Sequence, residues 1–152
     1  KNKYLLGEDL QLLIAESQTK GKGRLNRTFH SPKFSGIYMS YRINGNFEVD
    51  SIGKITTYAS VCVAKAIEEL YNTKIDIKWV NDLFLGGKKF CGILCESVFI
   101  DNKIKGVIIG IGINVYDRKF PTNLQDIATN LEYLKQIKDY NINIHISIDK
   151  GI

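Results

Sequence analysis

The sequence predicts an α+β fold in which a mixed, largely antiparallel sheet is backed by helices. Three observations carry this: strand-like segments outnumber helix-like ones, several strands are joined by turns too short for a crossover, and one long stretch repeats apolar residues at helical spacing.

Taken in order, Gln11 to Glu16 (Gln-Leu-Leu-Ile-Ala-Glu) reads as a buried strand. Gly36 to Ile43 alternates Ile37, Met39 and Tyr41 against Tyr38, Ser40 and Arg42, the period of a second strand. The segment between them holds Gly21, Gly23, Ser31, Pro32 and Ser35 without a consistent period, so a loop is expected. From Asp50 to Tyr71 the apolar positions Ile52, Ile55, Ala59, Cys62, Val63, Ala66, Ile67 and Leu70 predict a helix with one buried stripe, capped by Asp50 or Ser51. Ile75 to Trp79 is a short strand candidate, and Gly86-Gly87 a hairpin turn. Phe90 to Ile100 and Lys103 to Val115 read as long strands joined at Asp101-Asn102. Asn123 to Lys138 is weakly helical, and Asn141 to Ile148 alternates Ile with polar residues like a strand.

A length of 152 residues predicts a single domain, spanning 1–152, with room for a substantial core. Hydrophobic residues make up 44% and charged residues 24%, with 13 Gly and 2 Pro, which excludes disordered and collagen-like classes. Cys62, Cys91 and Cys95 are too few and too odd in number for a disulfide framework, so reduced thiols in an intracellular compartment are expected. No stretch approaches the ~20 apolar residues of a membrane span. A cytoplasmic location follows as the expectation, or an organelle if a leader has been removed.

The net charge of +5 has an address. Ser17 to Ser35 contains Lys20, Lys22, Arg24, Arg27 and Lys33 and no acidic residue, and the other 16 basic residues match the 16 acidic ones. A basic loop on a neutral body points to one anionic ligand held at one place.

Three constellations could carry chemistry. Gly21-Lys22-Gly23-Arg24-Leu25-Asn26-Arg27 combines glycines that let backbone amides approach an anion with alternating cations; it lacks the spacing of a P-loop, and a solvated loop with incidental charge competes with the functional reading. Lys78-Trp79-Val80-Asn81-Asp82, followed by a hairpin that returns Lys89, offers an amide, a carboxylate and a cation to one site; the bland alternative is a hairpin with solvated charges. Gly110-Ile111-Gly112-Ile113-Asn114 places glycines inside a strand, where a ligand or another backbone comes close or where packing needs them. Cys91 and Cys95 share a strand face as small buried residues, not as a zinc site, and His30 and His145 have no evident triad partner.

In this order and spacing, Gln18-Thr19-Lys20-Gly21-Lys22-Gly23-Arg24 with Arg27, Phe29, Ser31 and Pro32, then Gly36-Ile37-Tyr38-Met39-Ser40, Lys78 to Asp82, Lys89 to Glu96 and Gly110 to Val115 resemble the catalytic domain of biotin protein ligases. The resemblance covers roughly Leu12 to Val115. It implies the class II synthetase-like biotin/lipoate ligase fold. It also implies an ATP-dependent, AMP-forming enzyme that makes biotinyl-5′-adenylate and passes biotin to one lysine of an acceptor, the biotin carboxyl carrier domain of a carboxylase. ATP and biotin are then the substrates, usually with Mg²⁺. No DNA or membrane partner is implied, and a homodimer is compatible.

By the same resemblance, Gln18, Gly21, Lys22 and Phe29 lie along biotin, and Gly92, Gly110 and Gly112 let its rings reach the strand backbones. Arg24 and Arg27 belong to a loop that orders over biotin and the phosphates, Lys89 neutralises the carboxylate and the adenylate phosphate, and Asn114 sits near adenine. Lys78 and Asn81 join the ATP set, and Asp82 joins Lys89 and Arg24 in the catalytic set, with a link to Mg²⁺ through phosphate. The departures are Lys22 where Arg is frequent, Asn26 for Gly, Phe29 for Trp and Val80 for Pro. The chain also starts just before the first matching strand, so the family's upstream Ser-Thr-Asn segment is not in it, nor are a DNA-binding domain or a C-terminal β-barrel. Two alternatives stand beside this reading. A lipoate or octanoate transferase shares the fold, but its Arg-Arg-x-Ser-Gly-Gly-Gly loop is missing. A nucleic-acid-binding module would use the basic loop, with only Phe29 and Phe34 there to stack bases.

Overall fold

Seven strands and one long helix are laid down in the order β1 (Asn2–Leu5), β2 (Leu10–Ala15), β3 (Gly36–Phe47), α1 (Ser51–Tyr71), β4 (Asp76–Lys78), β5 (Asp82–Leu85), β6 (Lys88–Ile100) and β7 (Lys103–Asn114). The structure, a computed structural model, describes residues 2–5, 10–116 and 119–134. Within these, the strands form one sheet in the order β1-β2-β3-β7-β6-β5-β4, with every neighbouring pair antiparallel. Short loops allow this because only antiparallel neighbours can be joined without a crossover. Gly86 and Gly87 take positive φ values of 56° and 76°, the backbone that a two-residue hairpin loop requires, and β5 turns directly into β6 there.

Period 2 sorts each strand into two faces. Ile37, Met39 and Tyr41 of β3, Ile109, Ile111 and Ile113 of β7, and Cys91 and Ile93 of β6 pack in one cluster with Ala64, Ile67 and Tyr71 of α1. The opposite face carries Tyr38 and Ser40, then Gly112 and Gly110, then Gly92 and Leu94, in register across three strands.

The structure revises several expectations. β3 runs on to Phe47, β4 is only Asp76–Lys78, and β1 and β5 had no counterpart in the sequence reading. Asn81 therefore lies in the turn that contains a cis Trp79–Val80 peptide, and Asp82 opens β5. On α1 the buried positions are Thr56, Ser60, Ala64, Ile67 and Tyr71, while Cys62 and Leu70 are exposed. The two hydroxyls can be buried because Thr56 Oγ1 donates to Ile52 O and Ser60 Oγ to Thr56 O, both at 2.9 Å, so the stripe includes polar residues that an apolar count passes over. Asp50 occupies the N-cap position without a side-chain hydrogen bond, and Asn72 ends the helix in the left-handed region at φ 43°.

No helix forms over 123–132. This stretch is a series of turns that delivers Ala128 to a parallel bridge with Lys89. Tertiary anchoring overrides weak helical periodicity there: Leu131 and Leu134 are buried in the core cluster, and the backbone is committed to β6. The helix and strand expected over 135–138 and 141–148 lie outside the described residues. The basic segment is more ordered than a loop. Its arms pair at Gln18↔Ser31 and Lys22↔Thr28 around a single 3-10 turn, Arg24–Asn26, and this hairpin crosses the glycine-bearing face.

Candidate active site

Three missing side chains make the floor of the site. Gly92 stands opposite Gly112, and Gly110 opposite Leu94, so the centre of the β6–β7 ladder is a trough of bare backbone. A Cβ at Gly112 would come 2.5 Å from Phe29 Cε1, and one at Gly92 would lie 3.2 Å from Lys89 Nζ and 3.3 Å from Phe29 Cε2. At Gly110 the nearest atom to such a Cβ is Leu94 O at 3.5 Å. Phe29 thus packs over Gly112 and Gly92 without filling the trough: a cavity of about 240 Å³ remains beside it, bordered by Gly92, Gly110 and Gly112, by Gln18, Lys22 and Arg24 of the basic segment, and by Met39, Ser40 and Lys89.

Lys89 reaches in from the start of β6. Its Nζ donates to Asp82 Oδ1 at 2.6 Å, with both side chains about two-thirds or more buried, so the pair is shielded from solvent more than a surface ion pair is. The Lys89 backbone is held on its other edge by the turn segment: Lys89 N donates to Ile127 O at 2.9 Å, and Thr129 N to Lys89 O at 2.8 Å. Burial pushes the neighbouring Cys91 thiol far above its ordinary range, the Lys89 charge opposing this and the Asp82 charge reinforcing it. Cys91 is therefore a neutral filler of the site's underside.

Asn81 is a pin. Its Nδ2 donates to Ile93 O, and Ile93 N donates back to Asn81 O, each at 2.9 Å. Ser60 Oγ of α1 lies 3.2 Å from Val80 O as a second hydrogen bond, so helix and β6 together fix the turn that presents Asn81 and Asp82. Asn81 Oδ1 is left to accept from Arg24 Nη1 at 3.2 Å, which ties the hairpin apex to the site. Asn26, at φ 58°, fits because asparagine tolerates the left-handed region, whereas Leu25 at φ 54° is a strained outlier in the same turn.

The rest of the hairpin closes on itself. Gln18 Nε2 donates to Ser31 Oγ at 3.0 Å, and Gly21 packs against the Phe29 carbonyl. Lys22 Nζ is 3.5 Å from Glu96 Oε1, an exposed contact of little energetic weight. Lys20, Lys22, Arg24 and Arg27 border a wider recess of about 750 Å³, whose far wall is Ile52 and Thr56 of α1 with Cys95 and Glu96 of β6. Such a cationic rim over an apolar floor suits a ligand with a ring at one end and phosphates at the other.

Two expected residues are not brought in. Lys78 Nζ sits 5.6 Å over the Phe84 ring on the edge strand, away from both spaces. Asn114 Nδ2 donates to Thr129 O and its carbonyl accepts from Leu131 N, both at 3.1 Å, so it braces the segment that holds Lys89 and borders neither space. Asp82 Oδ1 is engaged by Lys89. Sequence reasoning missed the supporting residues Ser60 and 127–131. The Thr56/Ser60 spacing of four was the only available signal for the first, and nothing local marked the second.

Against known proteins, residues 3–114 match the sequence profile of the Biotin/lipoate A/B protein ligase family. The chain is 41% identical over 122 residues to the bifunctional ligase/repressor BirA of Bacillus subtilis, covering 79% of this chain and 38% of that protein. It is 33% identical over 135 residues to biotin–protein ligase 2 of Arabidopsis thaliana, covering 81% of this chain and 40% of that one. Among solved structures, the biotin protein ligase of Aquifex aeolicus in complex with biotin and ATP superposes with a TM-score of 0.70 at 34% identity, over 87% of this chain and 53% of that one. The chain thus spans about two-fifths of the length of these curated relatives.

Proposed function

The chain belongs to the biotin/lipoate A/B protein ligase family, and from that membership we propose that it joins biotin to ATP and then transfers the biotinyl group to a lysine of an acceptor protein. The observation that carries this is Lys89: a cation held at 2.6 Å by Asp82 beside a glycine-floored trough, under a hairpin with further cations.

In the first step a biotin carboxylate oxygen attacks the α-phosphorus of ATP, and the bond to pyrophosphate breaks. Both partners are anions, so the step needs fixed positive charge where they meet. Lys89 takes this role next to the trough, and Lys22, Arg24 and Arg27 supply charge along the phosphates as the hairpin closes. Gln18, Gly21 and Phe29 line the acid's side with Gly92, Gly110 and Gly112, and Asn81 orients Arg24 toward the nucleotide. Asp82 keeps Lys89 aimed before substrates arrive. Once Lys89 turns to the substrate anions, the freed carboxylate faces the incoming amine. In the second step the acceptor lysine attacks the acyl carbon, AMP leaves, and the amine gives up a proton. Covering the mixed anhydride limits its loss to water. Magnesium arrives bound to the phosphates of the nucleotide, as part of the substrate.

The acceptor fitting this chemistry is a biotin carboxyl carrier domain. The Arabidopsis relative named as a biotin–protein ligase and the Aquifex structure holding biotin and ATP favour biotin over the lipoate and octanoate arms of the same family. Pyrophosphate release measured side by side with biotin, lipoate and octanoate tests the reading. Release that depends on biotin alone is the expected result, and release with lipoate or octanoate but not biotin overturns it.

A further inference from the structure

We propose that Ser40 is a specificity-determining residue of the trough, its hydroxyl pairing with a polar atom on the head ring of the bound acid and so favouring a ring-bearing acid over a linear alkyl one. The proposal rests on the reading of the trough as the acid-binding site.

Ser40 stands in β3 opposite Gly110 of β7, on the face that also carries Tyr38, Gly112, Gly92 and Leu94. It is half-buried and borders the cavity of about 240 Å³, with Oγ 4.0 Å from the position that a Cβ of Gly110 would take. Gln18, Lys22, Arg24, Asn81 and Lys89 border the same space, and each already has a side-chain partner within the protein: Ser31, Glu96, Asn81, Arg24 and Asp82 in turn. The Ser40 hydroxyl has none among the described residues. Every fully buried side-chain nitrogen or oxygen among them is hydrogen-bonded, so this uncommitted oxygen is open to the cavity.

Its distance from the fixed charge decides what it meets. Gly92, whose Cβ position lies 3.2 Å from Lys89 Nζ, faces Gly112, and Gly110 is two residues along β7 from there, about 7 Å at the rise of a strand. A carboxylate at Lys89 followed by a chain of about five carbon–carbon bonds brings whatever ends the chain to Ser40. In biotin that end is a fused bicycle with a ureido group and a thioether. In octanoate it is more alkyl chain. Solvent water can satisfy the hydroxyl before a ligand binds, and either acid expels that water. The ring supplies a hydrogen-bonding atom in return, whereas the alkyl end buries the hydroxyl without a partner. A site that hydrogen-bonds one ligand rejects its apolar analogue on that account.

The test is calorimetry with biotin and with octanoate on the unaltered protein and on Ser40→Ala. Ser40→Ala should bind biotin about tenfold more weakly than the parent and octanoate at least as tightly. It should also melt at the parent's temperature, because no hydrogen bond within the protein is lost. Unchanged biotin affinity, or equal loss for both acids, overturns the proposal and leaves the biotin reading intact. A lowered melting temperature with weaker binding of both acids assigns Ser40 to the fold and overturns the proposal in the same way. Absence of biotin heat in the unaltered protein overturns the biotin reading and the proposal with it.

Discussion

Lys89 has two claims on its charge, Asp82 within the protein and the anions of the proposed reaction. Replacing it with Ala leaves Asp82 without its cation in a partly buried place, a cost of about 1 kcal/mol given the remaining solvent access. The catalytic cost is much larger, since losing a cation that faces developing phosphate charge lowers the rate by ~10²–10³. Lys89→Ala should therefore unfold in urea close to the parent while releasing pyrophosphate two to three decades more slowly; retained activity would remove Lys89 from the chemistry. A second consequence follows from burial. Cys91, Tyr38 and Tyr71 all have their proton loss pushed to higher pH, in each case first by desolvation. The folded state holds these protons longer than the unfolded state, so stability is complete below the ordinary thiol range of roughly 8.5 and falls as pH rises through it. Urea midpoints taken from pH 7 to 10.5 should decline above pH 8.5, and Cys91→Ala should flatten the first part of that decline.

The basic hairpin is held by few backbone bonds: Gln18 N to Ser31 O at 3.0 Å, Phe29 N to Gly21 O at 2.9 Å, and Gly23 N to Arg27 O. Its cations repel one another, and among the described residues only Lys22 and Lys33 have carboxylate partners, at exposed contacts. An anionic ligand removes that repulsion, so the amides of Gln18, Gly23 and Phe29 should exchange slowly only with biotin and a non-hydrolysable ATP analogue present. Equal protection in both states would show a preformed hairpin. The α1 helix illustrates the opposite situation, an element fixed by packing. Thr56 and Ser60 bury hydroxyls by returning them to helix carbonyls, and the short side chains let Ser60 also reach the turn before Asn81. The periodic pattern located this helix to within a residue at its start. It placed Ala59, Val63 and Ile67 correctly against the core but also counted Cys62, Ala66 and Leu70, which face outward, because an apolar count cannot tell a close-packed small polar residue from an exposed one.

At the scale of the whole molecule, the segment after β7 joins the core to the site. Leu131, fully buried in the main cluster, anchors a stretch whose backbone brackets Lys89 at 127–129 and whose position is braced by Asn114. Leu131→Ala should cost about 2–5 kcal/mol. It should also lower pyrophosphate release at temperatures where circular dichroism still reports a folded sheet; full activity under those conditions would uncouple the segment from Lys89. The sequence by itself determined the antiparallel sheet, the Gly86-Gly87 turn, the extent of α1, the single basic segment and the family's motifs, because period, turn chemistry and charge are properties of neighbouring residues. It could not show that Lys78 stands over Phe84, that Asn114 braces a turn, that residues 127–129 hold Lys89, or that Phe29 packs over Gly92 and Gly112. Each of these depends on segments far apart in the chain, such as Arg24 and Asn81, meeting across the folded sheet. A glycine announces that a space exists, but only the packed tertiary structure decides which group occupies it.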